Sequence, residues 1–368
     1  MDLPPFLLDH WLARYEFATP PIRYNLASST GPKWALKELL AIGDEVLSLD
    51  DLKIGYAPPE GSAELRAALG AFLGVDPDWV VVTTGASEAV SILFCLAAKP
   101  LGNVLMPRPA FGAFPAMARA WGMGTRHYTL SRECGFRASP DAVVAATNPQ
   151  TAIVLVNTPH NPSGSVAPRE EIEAIAGGLA ERGIPLIVDE VYHPLYFGAP
   201  QKTAAPIANV NVMGDMSKAM SLAGLRIGWL IEHDSERRKK IVDARGYFTI
   251  SSSPLLEKLA AHALINSGAV LDRLSDVATA NLDALARTME RVSDVLGWVR
   301  PEGGTVCFPW FRDGRNSRPF CERLAAAGVL VAPGDCFKMP DHMRVGFGAQ
   351  AEGFSDALAV FEKTLRAL

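Results

Sequence analysis

Apolar positions along the chain follow two rhythms that alternate from about residue 62 onward. In 62–73 (SAELRAALGAFL), Leu65, Leu69 and Phe72 recur on one face at helical spacing. The run Val80-Val81-Val82-Thr83 that follows is β-branched throughout, stops at Gly85 and reads as a strand. The same exchange continues with a helix over 87–98, a strand over 103–106 and a helix over about 112–121. Ala152-Ile153-Val154-Leu155-Val156 is a buried-type strand closed by the turn-rich text NTPHNPSG. Pro168 then opens a helix with Glu170 and Glu171 in its first turn, where the helix dipole favours acids. Ile184 to Val188 is another apolar strand, ending at Asp189, and Val210 to Met213 is a third. Strands that are apolar on both faces and alternate with helices predict an α/β protein with a mostly parallel sheet covered on both sides.

After about residue 268 the texture changes. A long helix is expected over 270–296, then short strands at 304–309, 328–331 and 343–348 enclosing a helix at 317–327, and a last helix from 351 to 366. That is an α+β pattern. It divides the chain into an N-terminal arm over 1–50 that packs with the last part, a large domain over 51–268 and a smaller C-terminal domain over 269–368. Within the arm, Leu8, Trp11, Leu12 and Tyr15 form a short amphipathic piece.

The chain has 368 residues, 49% of them hydrophobic, enough for a large core and unlike a disordered or collagen-like sequence. A formal net charge of -5 offers no broad attraction for nucleic acid or anionic membrane. The five cysteines, Cys95, Cys134, Cys307, Cys321 and Cys336, are scattered with no CxxC pair. The opening residues are acidic where a signal peptide is basic, and no apolar run is long enough to span a bilayer. A cytoplasmic enzyme is the expectation.

Ligands of open α/β sheets bind outside the carboxyl ends of the strands. The polar groups at those ends are Gly85-Ala86-Ser87-Glu88, Asn157 to Gly164, Asp189 with Tyr192, and Asp215 to Lys218. Small residues at a helix start expose amides suited to a phosphate. A strand-end aspartate serves as a base, a metal ligand or the counter-charge of a protonated ring nitrogen. A lysine after a strand can form an imine if its amine is desolvated. Singly, each has a plainer reading as a structural turn, a cap or a surface cation. Their order along one sheet edge is what points to a shared cleft.

The text Tyr56-Ala-Pro-Pro-Glu-Gly-Ser, Gly85-Ala-Ser-Glu-Ala, Asn157-Thr-Pro-His-Asn-Pro-Ser-Gly, Asp189-Glu-Val-Tyr, Ser217-Lys-Ala-Met-Ser-Leu-Ala-Gly-Leu-Arg and Met343-Arg-Val-Gly-Phe resembles the class I/II aminotransferases of pyridoxal-phosphate fold type I. Asp189 and Lys218 follow Asn161 at that family's spacing. The resemblance implies a mixed, mostly parallel seven-stranded sheet, a smaller α+β domain, pyridoxal 5'-phosphate as cofactor and a homodimer with shared active sites. By matching position, Lys218 carries the coenzyme and moves the substrate proton. Asp189 pairs with the ring nitrogen, while Asn161 and Tyr192 donate to the phenolate oxygen. Phe111 stacks on the ring. Gly85, Ala86, Ser87, Ser217 and Arg226 surround the phosphate, which Tyr56 reaches from the neighbouring subunit. Arg344 grips the substrate carboxylate, with Asn161 and the segment ending at Gly31.

Two features depart from the family. Asp215 stands where many relatives place a phosphate-binding serine, so it either orients a neighbour, meets a basic substrate group or caps the backbone. The segment Asn25 to Gly31 lacks the usual glycine–x–proline text. Both are similar to the capreomycidine-synthase-like branch, whose members act on arginine-type substrates by elimination and cyclisation. The leading expectation is an aminotransferase acting on an L-amino acid with a 2-oxo acid acceptor, and the alternative is elimination and cyclisation of a guanidino amino acid. His160, His193 and the Arg108 to Phe114 loop, with the arm, are expected to shape side-chain recognition, the two histidines reading more readily as packing or hydrogen-bonding residues than as bases. No histidine–acid spacing suggests a metal site.

Overall fold

A computed structural model describes residues 3–368. Its centre is a seven-stranded sheet in the spatial order Val80–Thr83, Gly228–Ile231, Val210–Asp215, Leu186–Asp189, Thr151–Asn157, Asn103–Arg108, Gly124–Thr129. Only Gly228–Ile231 runs against its two neighbours, and the remaining pairings are parallel. The apolar runs explain the arrangement. Every residue of Thr151–Asn157, Leu186–Asp189 and Val210–Asp215 is buried, so both faces of these central strands need helices over them.

The helices Ala63–Leu73, Ala86–Ala97 and Arg169–Ala180 lie close to the spans expected from periodicity. Ser62 caps the first by accepting the Leu65 amide, and Gly74 ends it in the left-handed conformation. The long helix is Ser267–Arg291, ending earlier than the pattern suggests, because Val292–Val295 turn the chain into the strand Leu296–Gly297. The strand expected over 304–309 shrinks to Val306–Cys307. Gly304 has a positive φ of 74° at its start, and Phe308-Pro309 leave the ladder.

The C-terminal part holds a three-stranded sheet, Val306–Cys307, Met343–Gly346, Ala332–Pro333, whose middle strand carries Arg344. The arm packs there. Tyr24–Asn25 pairs with Val329–Leu330, and the indole of Trp11 donates to the Val331 carbonyl at 2.9 Å from the helix Leu7–Glu16. All five cysteines are free. Among the described residues no helix is long and apolar enough to cross a membrane.

Candidate active site

The carboxyl ends of the parallel strands open into a cavity of about 210 Å3 lined by Ser87, Phe111, Asn161, Asp189, Tyr192 and Lys218, together with Asp215, Ser217 and Arg226. Register explains much of the convergence, since Asn157 lies beside Asp189, and Asp215 beside Gly228.

The phosphate-type turn is built tightly. Gly85 has φ 74°, a conformation that favours glycine, and a β-carbon there would lie 2.6 Å from Nη2 of Arg226. A side chain on Gly228 would meet the Gly85 carbonyl carbon at 2.5 Å and the Ala86 nitrogen at 2.8 Å. The turn leads into the helix Ala86–Ala97, whose first amides have no intrahelical acceptor. Arg226, itself at φ 50°, donates from Nη1 to Ser217 Oγ at 3.4 Å. Amides, hydroxyls and a guanidinium thus face one corner, the donor set that a phosphate dianion requires.

Asp189 is buried, with Oδ1 accepting the Val191 amide at 3.1 Å. Burial pushes its carboxyl up to about 7 from the usual 3.8, and the nearby Asp215 carboxylate pushes the same way. The Val191 amide and the charge of Lys218 offset this only in part. In the ligand-free protein Asp189 holds a proton that the unfolded chain loses above about pH 4. The stability this confers is complete below about 4, declines as pH rises and is gone above about 7, a swing of up to about 4 kcal/mol. Coenzyme-free protein is therefore expected to lose stability between pH 4 and 7 relative to Asp189→Asn, as measured by denaturant titration across that range. Equal pH slopes for the two proteins would refute this assignment.

Lys218 projects from the loop after Val210–Asp215, its Nζ donating to Ser29 Oγ at 3.0 Å. Burial lowers its pKa. Arg344 and Arg226 lower it further, and Asp215 and Asp189 oppose. Tyr192 is 1% exposed and its hydroxyl is buried with no hydrogen-bond partner. An orphaned buried donor facing a cavity is expensive unless a ligand satisfies it. Phe111 stands at the cavity edge, held edge-on by Phe6 at 5.5 Å and Phe114 at 5.6 Å.

Arg344 stands one residue behind the lining. It is 1% exposed, donating from Nη1 to Asn161 Oδ1 at 3.0 Å and from Nη2 to the Ala27 carbonyl at 2.7 Å, while Nε has no partner. Among the described residues no carboxylate forms a salt bridge with it, so its charge is not neutralised by a neighbouring acid. Gly31 and Ser29 line a second cavity of about 580 Å3 that shares Lys218 with the first. A side chain on Gly31 would collide with Ser221 and Leu274, which fixes how closely the arm approaches the lysine loop.

Asp215 accepts the Ser217 amide at 2.9 Å with Oδ1, so it orients the lysine loop while lining the cavity. Tyr56 is 85% exposed and outside the cavity of its own chain. His160 and His193, expected near the substrate side chain, do not line either cavity. His160 is satisfied by Ser163 Oγ at 2.7 Å and the Pro109 carbonyl at 3.1 Å. His193 bonds the Tyr196 hydroxyl at 2.9 Å. Burial pushes both rings down to about 4, so they are neutral packing residues. Sequence reasoning placed Asn157 at a strand end and gave the Ser29 backbone a part in carboxylate binding, but it assigned no role to the side chains of Asn157, Ser29 or Phe6. Asn157 accepts the Asn161 amide at 2.8 Å and donates to the Asp189 carbonyl at 3.3 Å, and its signal was its place at a strand end. Phe6 carried none, being remote in sequence from Phe111.

These residues fit pyridoxal phosphate: an anion corner, a buried acid for a ring nitrogen, an unsatisfied phenol and a desolvated amine share one cavity. The family model for class I and II aminotransferases matches residues 31–360. The chain belongs to this family, of pyridoxal-phosphate-dependent enzymes with fold type I, and the reaction it supports is amino transfer. It is 32% identical to the capreomycidine synthase of Streptomyces vinaceus over 99% of this chain and 94% of that protein. It is also 32% identical to the aspartate/prephenate aminotransferase of Thermus thermophilus, over 85% of this chain and 84% of that one. Among solved structures, the PLP-dependent cyclase OrfR superposes with a TM-score of 0.87 at 25% identity, covering 100% of this chain and 98% of the other.

Proposed function

We propose that this protein moves the amino group of an L-amino acid to a 2-oxo acid through the cavity around Lys218, working in the cytoplasm as a homodimer. The observation that carries the reading is that the half-buried Lys218, the buried Asp189 and the buried Tyr192 hydroxyl, which has no hydrogen-bond partner among the described residues, line one space. Bound there, pyridoxal phosphate supplies an electron-accepting ring that stabilises negative charge at the substrate Cα.

The chain's residues do the rest. Gly85, Ala86, Ser87, Ser217 and Arg226 hold the phosphate. The Asp189 carboxylate keeps the ring nitrogen protonated, and Asn161 and Tyr192 donate to the ring oxygen. Arg344 orients the substrate by its α-carboxylate, which places the Cα proton against Lys218 Nζ. Burial lowers the pKa of that amine, which favours its taking this proton as a base and returning it as an acid.

The dimer is supported by large apolar side chains left in water, namely Ile54 at 82% exposure, Tyr56 at 85% and Tyr247 at 92%. Tyr56 is the group such a dimer would lend to its partner's phosphate corner. A second reading, elimination and cyclisation of a guanidino amino acid, is favoured by the similarity to capreomycidine synthase over nearly the whole chain, and by Asp215 in the lysine loop.

A product-resolved screen separates the two readings. Amino acids are incubated singly with coenzyme-loaded protein and a 2-oxo acid, with products identified by mass spectrometry and the protein checked by sedimentation. Amino transfer yields the paired oxo acid and new amino acid from a dimer. Loss of water from a hydroxylated guanidino substrate, with nitrogen retained, would replace it with the second reading.

A further inference from the structure

Arg245 and Glu257 are both 0% exposed, yet neither lines the coenzyme cavity. Glu88, whose side chain is 7% exposed, follows the cavity-lining Ser87 and has Oε2 at 3.8 Å from Arg245 Nε. Buried ions are costly compared with apolar residues of the same size, so what they hold in place is informative.

Each one grips backbone or hydroxyl groups at the edge of the site. Glu88 Oε2 accepts the Thr84 amide at 2.5 Å, and Oε1 accepts the Thr249 hydroxyl at 2.6 Å. Thr84 immediately precedes Gly85, so Glu88 reaches back from the first helical turn and fixes the entrance of the turn that its own helix leaves. Arg245 donates to the Pro59 carbonyl and, at 2.6 Å, to Ser252 Oγ. Glu257 accepts the Ser62 amide at 2.7 Å. The 59–62 segment is in turn fastened to the adjoining strand, where the Val82 amide donates to the Glu60 carbonyl at 2.9 Å. Arg226 also packs against Gly85, where an added β-carbon would meet its Nη2. Two charged side chains, Glu88 and Arg226, thus contact the turn.

We propose that Glu88, held by Arg245 and Thr249, is a positioning residue for phosphate binding: it sets the 84–87 turn so that the Ala86 and Ser87 amides converge on the anion. Arg245 has a second task. A lone carboxylate this close to a phosphate site would repel it, and the guanidinium beside Glu88 balances that charge. The inference rests on reading the turn as the phosphate cradle, and it assigns work to two buried groups, Glu88 and Arg245, that the reaction itself does not use.

The test compares two ligands that differ only in the phosphate. Coenzyme-free parent protein, Glu88→Gln and Thr249→Val are each titrated with pyridoxal 5'-phosphate and with pyridoxal, following coenzyme absorbance. Gln at 88 keeps the size of the side chain but forfeits one acceptor and the charge facing Arg245. It is expected to weaken pyridoxal 5'-phosphate about tenfold or more while pyridoxal changes by no more than about twofold. Thr249→Val removes a single hydroxyl from an exposed loop and is expected to shift the same ligand, in the same direction, by less. This variant keeps the test open should Glu88→Gln fold poorly. An equal loss for both ligands, or no loss for either, overturns the proposal. Parent protein that binds both ligands equally well overturns the cradle assignment and this inference with it, and the parent titration alone reveals that outcome.

Discussion

Lys218→Ala, saturated with pyridoxal 5'-phosphate, is expected to turn over amino acid about 10⁴-fold more slowly than the parent protein, with the fold intact. Proton transfer at Cα needs an amine within reach, and the other titratable groups at the cavity are unsuited. In the proposed arrangement Asp189 would pair with the ring nitrogen. Asp215 is occupied by the Ser217 amide, and the Tyr192 phenol is made a weaker acid by burial. The lysine side chain packs in a loop held by that same Asp215 contact and bonds only Ser29, so trimming it leaves the sheet and core untouched. Residual coenzyme binding should persist through the phosphate corner and Asp189, with loss of the absorbance band that depends on the covalent link. Near-parental turnover in steady-state assays of Lys218→Ala would refute the assignment of the base.

The second large effect falls on Arg344. Replacing it by alanine is expected to lower kcat/KM by roughly 10²- to 10³-fold, because two charge-assisted hydrogen bonds to a carboxylate are lost together. Arg344→Lys should recover little. An ammonium cannot hold Asn161 and a substrate carboxylate in one plane, and Nη1 and Nη2 of the present side chain already fix that plane against Asn161 Oδ1 and the Ala27 carbonyl. The defect should reside mainly in KM for both amino acid and oxo acid, since each presents the same carboxylate. Coenzyme affinity should change little, as Arg344 lies behind the lining and not at the phosphate corner. A variant with parental KM for both substrates would show that the carboxylate binds elsewhere.

Much of this site was legible in the chain because strand ends are legible. The apolar runs stopping at Asn157, Asp189 and Asp215 put three polar residues on one edge of a parallel sheet, and the resemblance named the roles of their neighbours. Local rhythm was less informative where tertiary packing decides. Gly124–Thr129 went unseen because it mixes Thr, Arg and His at the sheet edge, where only one flank is paired. Gly228–Ile231, the reversed strand, is four residues long and follows directly on the arginine turn. The helices Ser235–Gly246 and Pro254–Ile265 were likewise missed, the first because its surface is strongly charged and gives almost no apolar face. Yet that helix delivers Arg245 to the core, a placement that follows from three-dimensional contacts with Glu88 and residues 59–62 alone.

The two histidines read more readily as packing or hydrogen-bonding residues than as bases, and their hydrogen bonds agree, but they do not line the cavity as recognition residues would. His160 bonds Ser163 and the Pro109 carbonyl, and His193 bonds Tyr196. Asp215 resolves differently. The carboxylate that looked misplaced next to a phosphate points one oxygen at the lysine loop, so the departure from serine shapes the loop that carries the reactive amine.

The central claim is that one amine, Lys218 Nζ, carries the coenzyme. Borohydride treatment of coenzyme-loaded protein, followed by proteolysis and mass spectrometry, tests it most directly. The expected result is a single modified peptide bearing the reduced coenzyme on Lys218. A label on any other lysine, or an unlabelled Lys218 peptide from fully loaded protein, would contradict the account.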